Sequence, residues 1–253
     1  MKTTAAIPVR MPDGSIYPVG KLLSDRNFKL EKSNNADRGF YTYGLSMAPS
    51  TIGGPDVCAF ASEQCRAACL FTAGRGSMSS VYNGRLAKKL AFFQHKADFL
   101  DKLHTELHSA EQIVSRYDLR LAVRPNVISD LPWERIDPTL FSDHPNVQWY
   151  DYTKRPGRVV PANYDLTFSR SEDNEAIALQ EYAAGRNVAV VFSVTDPADL
   201  PKTWNGIRVF SGDSTDLRFL DKRGIVGLTA KGKAIANGGS FTVPVLRRYR
   251  RVA

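Results

Sequence analysis

The chain has 253 residues, of which 43% are hydrophobic and 24% are charged. These proportions are ordinary for a globular protein, and they exclude collagen-like, low-complexity and disulfide-scaffold classes. Lysine and arginine together number 34 against 26 aspartates and glutamates, and the net charge of +8 favours an anionic partner without identifying one.

The predicted elements begin with an irregular arm over residues 1–38, which prolines and glycines interrupt. Strand and helix patterns then alternate. Apolar residues at three- and four-residue spacing predict a helix over Val81–His108, either continuous or broken once. A second helix is predicted over Asn174–Ala184, ending at Gly185. The predicted strands are Phe40–Met47, Leu119–Val123, Val147–Tyr152, Tyr164–Phe168, Val188–Val194, Ile207–Phe210 and Ile225–Leu228.

Short apolar strands that alternate with helices are typical of an α/β protein with a parallel sheet. We expect a partial or complete (β/α) barrel-like sheet of about six to eight strands, with an open doubly wound sheet as the alternative. In both arrangements ligands bind at the carboxyl ends of the strands. This single domain is predicted to cover residues 39–246, and a basic tail to cover residues 247–253.

The most informative segment is CAFASEQCRAAC, which holds all three cysteines of the chain: Cys58, Cys65 and Cys69. Ser62 is a good N-cap for a short helix whose third residue is Cys65. Cys69 lies four residues further on, so a helix would turn both thiols to one side, and Cys58 would complete a triangle. Three thiolates from one loop suit a [4Fe-4S] cluster that leaves one iron open at the strand ends.

Two other interpretations of the cysteines stay open at this point. Zinc is the rival metal, but a structural zinc takes four protein ligands, so one of the four histidines would have to complete a Cys3His site. The four are His95, His104, His108 and His144. Alternatively, the cysteines are small buried hydrophobic residues and bind no metal.

Polar residues recur just beyond the predicted strands. We expect them to line a cation-rich mouth facing the cluster and to bind a small ligand or substrate that carries a phosphate or a carboxylate. The residues selected on this basis are Arg124, Asn126, Lys154, Ser169, Arg170, Ser193 and Asp213, with Asp130, Asp216, Lys231 and Lys233 nearby.

The tail LRRYRRVA suggests a different partner. Its arginines, Arg247, Arg248, Arg250 and Arg251, surround Tyr249, and arginine with an aromatic ring fits contact with nucleic acid. No apolar run reaches the length of a signal peptide or a membrane span, so we expect no membrane partner and a cytoplasmic location.

The segment CAFASEQCRAACLFTAGRGSMSSVYNGRLAKK resembles the cysteine segment of the phage "gene product 88" family, and GLTAKGKAIANGG is similar to the end of that family. This resemblance implies a phage or prophage origin, and hence the host cytoplasm. A weaker likeness is to radical S-adenosylmethionine enzymes, which place three cysteines in a loop after the first barrel strand. Their spacing is C-x3-C-x2-C, whereas this chain has C-x6-C-x3-C.

Two hypotheses about function follow. In the first, the chain binds a [4Fe-4S] cluster, and its open iron serves as a Lewis acid or redox centre. S-adenosylmethionine is then a second cofactor that the weaker likeness implies. In the alternative, the chain is a basic nucleic-acid-binding phage factor with a structural zinc or no metal.

Overall fold

The computed structural model describes residues 5–25 and 38–245, and eleven strands form two sheets within them. The strands are β1 (Ile7–Arg10), β2 (Ile16–Val19), β3 (Leu23–Ser24), β4 (Phe40–Leu45), β5 (Arg120–Arg124), β6 (Gln148–Thr153), β7 (Tyr164–Ser169), β8 (Val188–Phe192), β9 (Thr203–Trp204), β10 (Ile207–Ser211) and β11 (Ile225–Thr229). The α-helices are α1 (Glu63–Ala67), α2 (Ser79–Gln94), α3 (Lys96–Ser115), α4 (Trp133–Ile136), α5 (Thr139–Ser142), α6 (Glu175–Ala183) and α7 (Lys233–Asn237).

The larger sheet has nine strands in the order β3-β4-β5-β6-β7-β8-β11-β10-β9. The seven strands from β4 to β10 run parallel, and the two edge strands pair antiparallel with their neighbours. The expected α/β class with a mostly parallel sheet is therefore confirmed. The sheet is not closed within the described residues, so the barrel-like character is not confirmed.

The seven predicted strands all exist, and their bounds differ from the prediction by one or two residues. The long predicted helix is broken, as one of the two alternatives allowed. The break falls at His95, whose φ of −139° and ψ of 56° are not helical, and it separates α2 from α3. The predicted Asn174–Ala184 helix is α6, with both end residues as its caps.

The main hydrophobic core lies between α2, α3 and the β4–β7 half of the sheet. Phe99 and Leu103 of α3 and Trp149 of β6 are almost completely buried there. A second core covers the β8–β11 half, where Phe168, Val190 and Ile225 pack together. Burial of such side chains contributes roughly 1.5–3 kcal/mol each to folding.

The predicted irregular arm is wrong where the structure describes it. β1 and β2 form an antiparallel hairpin, with Ile7 opposite Val19, and Val9 is completely buried in the main core. The prolines that suggested irregularity, Pro8 and Pro18, face each other in this two-stranded ribbon, where each strand has an edge on which a missing N–H is tolerated. The division into domains stays a prediction.

Both edges of the large sheet are short. The edge strands β3 and β9 have two residues each. None of the helices in the described part of the chain is long and apolar enough to cross a membrane.

Candidate functional site

A cavity of about 470 Å³ opens at the carboxyl edge of the parallel sheet. Because the seven strands run in one direction, their carboxyl ends meet at one edge, where open α/β sheets bind ligands. Five of the seven strands contribute to the cavity wall, through Arg124, Thr153, Ser169, Val191 and Thr229. The segments that follow β4 and β10 contribute Pro49 and Asp213.

All three cysteines line this cavity. Ser62 caps α1 as predicted, because its Oγ accepts a hydrogen bond from the Cys65 N–H at 3.1 Å. The helix ends at Ala67, so Cys69 lies beyond it and begins a 3-10 turn over Leu70–Thr72. The spacing of four residues predicted that the thiols of Cys65 and Cys69 share one helix face, and this prediction is wrong. Both residues nevertheless line the same cavity.

Two cations, the half-buried Arg66 and the buried Lys89, fix the loop that carries Cys58. Arg66 donates to Asp56 Oδ2 at 2.9 Å, to the Cys58 carbonyl at 3.1 Å and to the hydroxyl of Ser50. Lys89 of α2 donates to the carbonyls of Ser50 at 2.7 Å and Ile52 at 2.8 Å. The Ser50 N–H in turn donates to Cys58 Sγ at 3.3 Å. The position of the first thiol is thus set by the fold.

A second set of contacts ties α1 to the other half of the sheet. Glu172, which follows β7, accepts a hydrogen bond from Ser62 Oγ at 2.7 Å and from the Gln64 N–H at 2.9 Å. Gln64 Oε1 accepts from the Phe241 N–H at 2.9 Å. The first N–H groups of a helix have no hydrogen-bond partner within the helix, and the Glu172 carboxylate supplies one at the start of α1. The cysteine segment is therefore attached at both ends of the cavity.

The thiols of Cys58 and Cys69 are not activated nucleophiles in the metal-free protein. Burial raises the pKa of Cys58 to about 11, and burial also raises the pKa of Cys69. The reactive form of cysteine is the thiolate, so both side chains are protonated and unreactive near neutral pH. A bound metal ion would displace these protons, because coordination deprotonates a thiol.

The donor chemistry of the three cysteines fits a metal centre, but their arrangement is not yet that of a closed site. No group of three or more His, Cys, Asp or Glu side chains is placed to hold a metal ion within residues 5–25 and 38–245. The four histidines do not line the cavity, so the expected Cys3His alternative has no histidine there. Metal binding at the cysteines would require the loop to draw the thiols together.

Five of the seven predicted strand-end residues line the cavity: Arg124, Asn126, Lys154, Ser169 and Asp213. Asn126 is fully used inside the protein. Its amide donates to Asp151 Oδ2 at 2.9 Å and to the Leu131 carbonyl at 3.0 Å, and its carbonyl oxygen accepts from Ser129 Oγ at 2.9 Å. Asn126 therefore holds its loop in shape and offers no free donor to a ligand.

Arg124 is committed to two carboxylates and a ring, although its buried Nε makes no hydrogen bond. Its Nη1 donates to Asp216 Oδ2 at 2.5 Å, its Nε lies 3.5 Å from Asp151 Oδ1, and its guanidinium stacks on the ring of Tyr152. These two carboxylates hold the pKa of Arg124 above its usual value although burial alone would lower it. The arginine forms a charged floor beneath the cavity.

The lysines at the rim are less committed. Lys154 donates to Ser169 Oγ at 2.8 Å and lies 5.8 Å from the centre of the Phe241 ring. Lys231 pairs with Asp213. Lys233 is exposed, and in the described part of the chain neither its ammonium group nor that of Lys154 forms an ion pair. The Lys154 backbone N–H donates to Asp130 Oδ2 at 2.8 Å, and Asp130 also lines the cavity. The cavity therefore has two cationic side chains that are not ion-paired.

Arg170 and Ser193 lie outside the cavity, and their predicted place in its mouth is wrong. Arg170 donates to Glu175 Oε2 at 3.0 Å and to the carbonyls of Ser240 at 2.8 Å and Phe241 at 3.0 Å. The Ser193 N–H donates to the Val243 carbonyl at 2.9 Å. The last described segment of the chain runs beside β8, and Arg170 and Ser193 form hydrogen bonds with it.

Lys89 and Glu172 matter to the site, and the sequence reasoning missed both. Lys89 lies on the apolar face of α2, where a lysine is unexpected, and that position was a signal for a buried structural role. Glu172 follows β7 directly, as the selected residues follow their strands. The arginines of the predicted basic tail lie outside the described residues.

The fold and the site define a class: an α/β protein with an open, mostly parallel sheet and a cavity at its carboxyl edge that combines thiols with cations. Residues 21–242 match the family described as Gene product 88, and the chain belongs to that family. This match supports the resemblance to a phage protein seen in the cysteine segment. No curated protein and no solved structure matches the chain, so the likeness to radical S-adenosylmethionine enzymes gains no support.

Proposed function

We propose that this protein binds a [4Fe-4S] cluster through Cys58, Cys65 and Cys69 and brings a small anionic molecule to the iron that they leave open. One observation carries the proposal: the three cysteines of the chain line a single cavity at the carboxyl edge of a parallel sheet. Cysteines used only as small buried hydrophobic residues have no reason to converge on a cavity.

The charges around the cavity support an anionic centre. A cluster with a 2+ core and three thiolate ligands is negative overall, and it needs nearby cations when it is shielded from water. Lys154 supplies one, because it lies close enough to Cys69 to lower the pKa of that thiol, against the larger effect of burial. Lys233 supplies another at the rim.

The cluster would supply an iron that acts as a Lewis acid or passes electrons. The residues of this chain have separate tasks. Lys154 and Lys233 hold the negatively charged group of the ligand, and Ser169 orients the amino group of Lys154. Phe71 and Phe241 make part of the wall apolar, which limits the access of water. S-adenosylmethionine, which carries a carboxylate, is one ligand to test.

The geometry of the loop indicates how the cluster would be taken up. Arg66 and Lys89 hold the Cys58 end in place, whereas Cys69 lies in a 3-10 turn outside α1. We expect Cys65 and Cys69 to move toward Cys58 when the cluster binds. Uptake then orders the segment, and the metal-free protein is the less stable form.

Anaerobic purification with iron and sulfide analysis, followed by electron paramagnetic resonance of the chemically reduced protein with and without S-adenosylmethionine, tests the proposal. We expect about four irons and four sulfides per chain, and loss of most of both in Cys65→Ser. Ser77→Ala, in the same segment but outside the cavity, is the matched control. A protein that holds neither element after reconstitution would overturn the proposal, as would cysteine-dependent zinc in place of iron.

The alternative function, nucleic-acid binding, is favoured by the net charge of +8. Affinity for nucleic acid should then fall steeply with added salt, because binding releases counterions. Removal of residues 247–253 should weaken binding while the iron content stays the same. Absence of binding at low salt would remove this alternative.

A further inference from the structure

A chain of four titratable side chains lies outside the cavity, between α3 and the segment that joins α4 to β6. His104 Nε2 lies 3.0 Å from Asp137 Oδ2, and His144 Nδ1 lies 2.6 Å from Glu111 Oε2. The two rings meet through their other nitrogens, because His104 Nδ1 lies 3.3 Å from His144 Nε2.

The hydrogen-bond roles of these atoms are determined by chemistry. An ionised carboxylate only accepts hydrogen bonds, so Asp137 fixes the proton of His104 on Nε2 and Glu111 fixes the proton of His144 on Nδ1. In the neutral rings, the two nitrogens that face each other both carry lone pairs. Two lone pairs at 3.3 Å repel, so the arrangement calls for a cation between them.

We propose that His104 and His144 bind a divalent transition-metal ion, such as Zn²⁺, between these two nitrogens. Two nitrogens at about 2.0–2.1 Å from one tetrahedral Zn²⁺ lie roughly 3.3 Å from each other. That separation is already present without the metal. Imidazole nitrogens select zinc, copper and nickel over calcium and magnesium, which prefer oxygen ligands.

The carboxylates behind the rings support this site. Metal-binding histidines typically donate their other ring N–H to a carboxylate, which orients the ring and raises its basicity. Asp137 is itself held, because the Thr139 N–H donates to its Oδ1 at 3.2 Å. The rings are thus fixed in the tautomers that a metal needs.

Two protein ligands leave coordination positions for water. The side chain of His104 is 25% exposed and that of His144 is 6% exposed, so water reaches the site from the His104 side. The site is independent of the cysteines, since neither histidine lines the cavity.

Metal binding here would join α3 to the segment before β6. His104 belongs to α3, whereas His144 follows α5, so one ion would link two pieces of chain that are 40 residues apart. A ligand that binds only the folded form stabilises it in proportion to the logarithm of its concentration. We therefore expect micromolar to millimolar Zn²⁺ to raise the melting temperature.

Isothermal titration of the full chain with Zn²⁺, with Co²⁺ absorbance as a second readout, tests the site. His144→Gln should abolish the component assigned to this pair, and Asp137→Asn should weaken it by about tenfold. His108→Gln is the matched control, because His108 lies on the same helix, is exposed and pairs with Gln112 at 3.0 Å. The Co²⁺ spectrum separates this site from the cysteines, since thiolate ligation gives intense charge-transfer bands.

The proposal is overturned if wild type and His144→Gln bind Zn²⁺ equally, or if neither binds it. The second result would mean that the pair holds a shared proton only. If His144→Gln does not fold, the decision rests on Asp137→Asn, which should weaken the Zn²⁺ component while leaving the thiolate bands of the Co²⁺ spectrum unchanged. If the protein binds no iron but still shows this Zn²⁺ component, the cluster proposal fails and the histidine site stands.

Discussion

Two loops follow neighbouring strands at the same edge of the sheet, but they differ in whether their polar side chains form hydrogen bonds within the protein or line the cavity. The cysteine loop (residues 46–78) follows β4, and the asparagine loop (residues 125–132) follows β5. In the asparagine loop, the side chain of Asn126 forms its hydrogen bonds with Leu131 and Asp151 inside the protein. In the cysteine loop, Arg66 and Lys89 support the backbone, and the three cysteines line the cavity. A polar residue at a strand end is thus a binding candidate only when its hydrogen bonds are not already made.

The largest expected effect tests the structural side of this comparison. Asn126→Ala should lower the free energy of unfolding by about 3 kcal/mol, because it leaves the Leu131 N–H without its acceptor and removes one hydrogen bond to the buried carboxylate of Asp151. Urea unfolding of the metal-free protein measures it. Asn163→Ala is the control, since its hydrogen bonds of 3.3 and 3.4 Å are long, and it should cost less than about 1 kcal/mol. Equal losses in both variants would contradict the assigned role of Asn126.

The next effect concerns the thiols. Burial raises the pKa of Cys58 from 9.0 to about 11, so at neutral pH its thiolate fraction should be about 100-fold below that of a thiol with the ordinary value. The rate of alkylation by iodoacetamide, followed by mass spectrometry on metal-free protein, should rise about tenfold per pH unit up to pH 10. A rate that levels off below pH 9 would mean that the Cys58 loop is open.

The smallest effect concerns the start of α1. Ser62→Ala removes the cap of the Cys65 N–H and the contact with Glu172, and it should cost about 1–2 kcal/mol in the free energy of unfolding. Ser77→Ala serves as the control, because its hydroxyl donates to Gly74 at the surface and should contribute less than about 0.5 kcal/mol. If both variants unfold at the same urea concentration, the cap does not hold the cysteine loop.

Much of the sheet could be predicted from the sequence, because buried parallel strands are short apolar runs that are hard to mistake. VAVVF of β8 is the clearest case. The convergence of strand ends followed from that prediction, and it placed Cys58, Lys154 and Asp213 at one edge. The cap at Ser62 was also predictable, since it depends on residues three positions apart.

What failed depends on contacts between distant residues. Asn126 contacts Asp151, 25 residues away, and Arg170 contacts Phe241, 71 residues away, and no local pattern encodes either pairing. The β1–β2 hairpin was missed because proline in an edge strand looks like proline in a loop. Whether the sheet closes depends on its edge strands. Each edge strand has two residues, too few to give a recognisable strand pattern in the sequence.

The short edge strands have a consequence for how the protein behaves at high concentration. A long unpaired strand is a template on which other chains can add. Here each edge strand has two residues, too few to serve by itself as a template for strand addition. We therefore expect that β3 and β9 do not recruit a second copy of the chain in concentrated solutions.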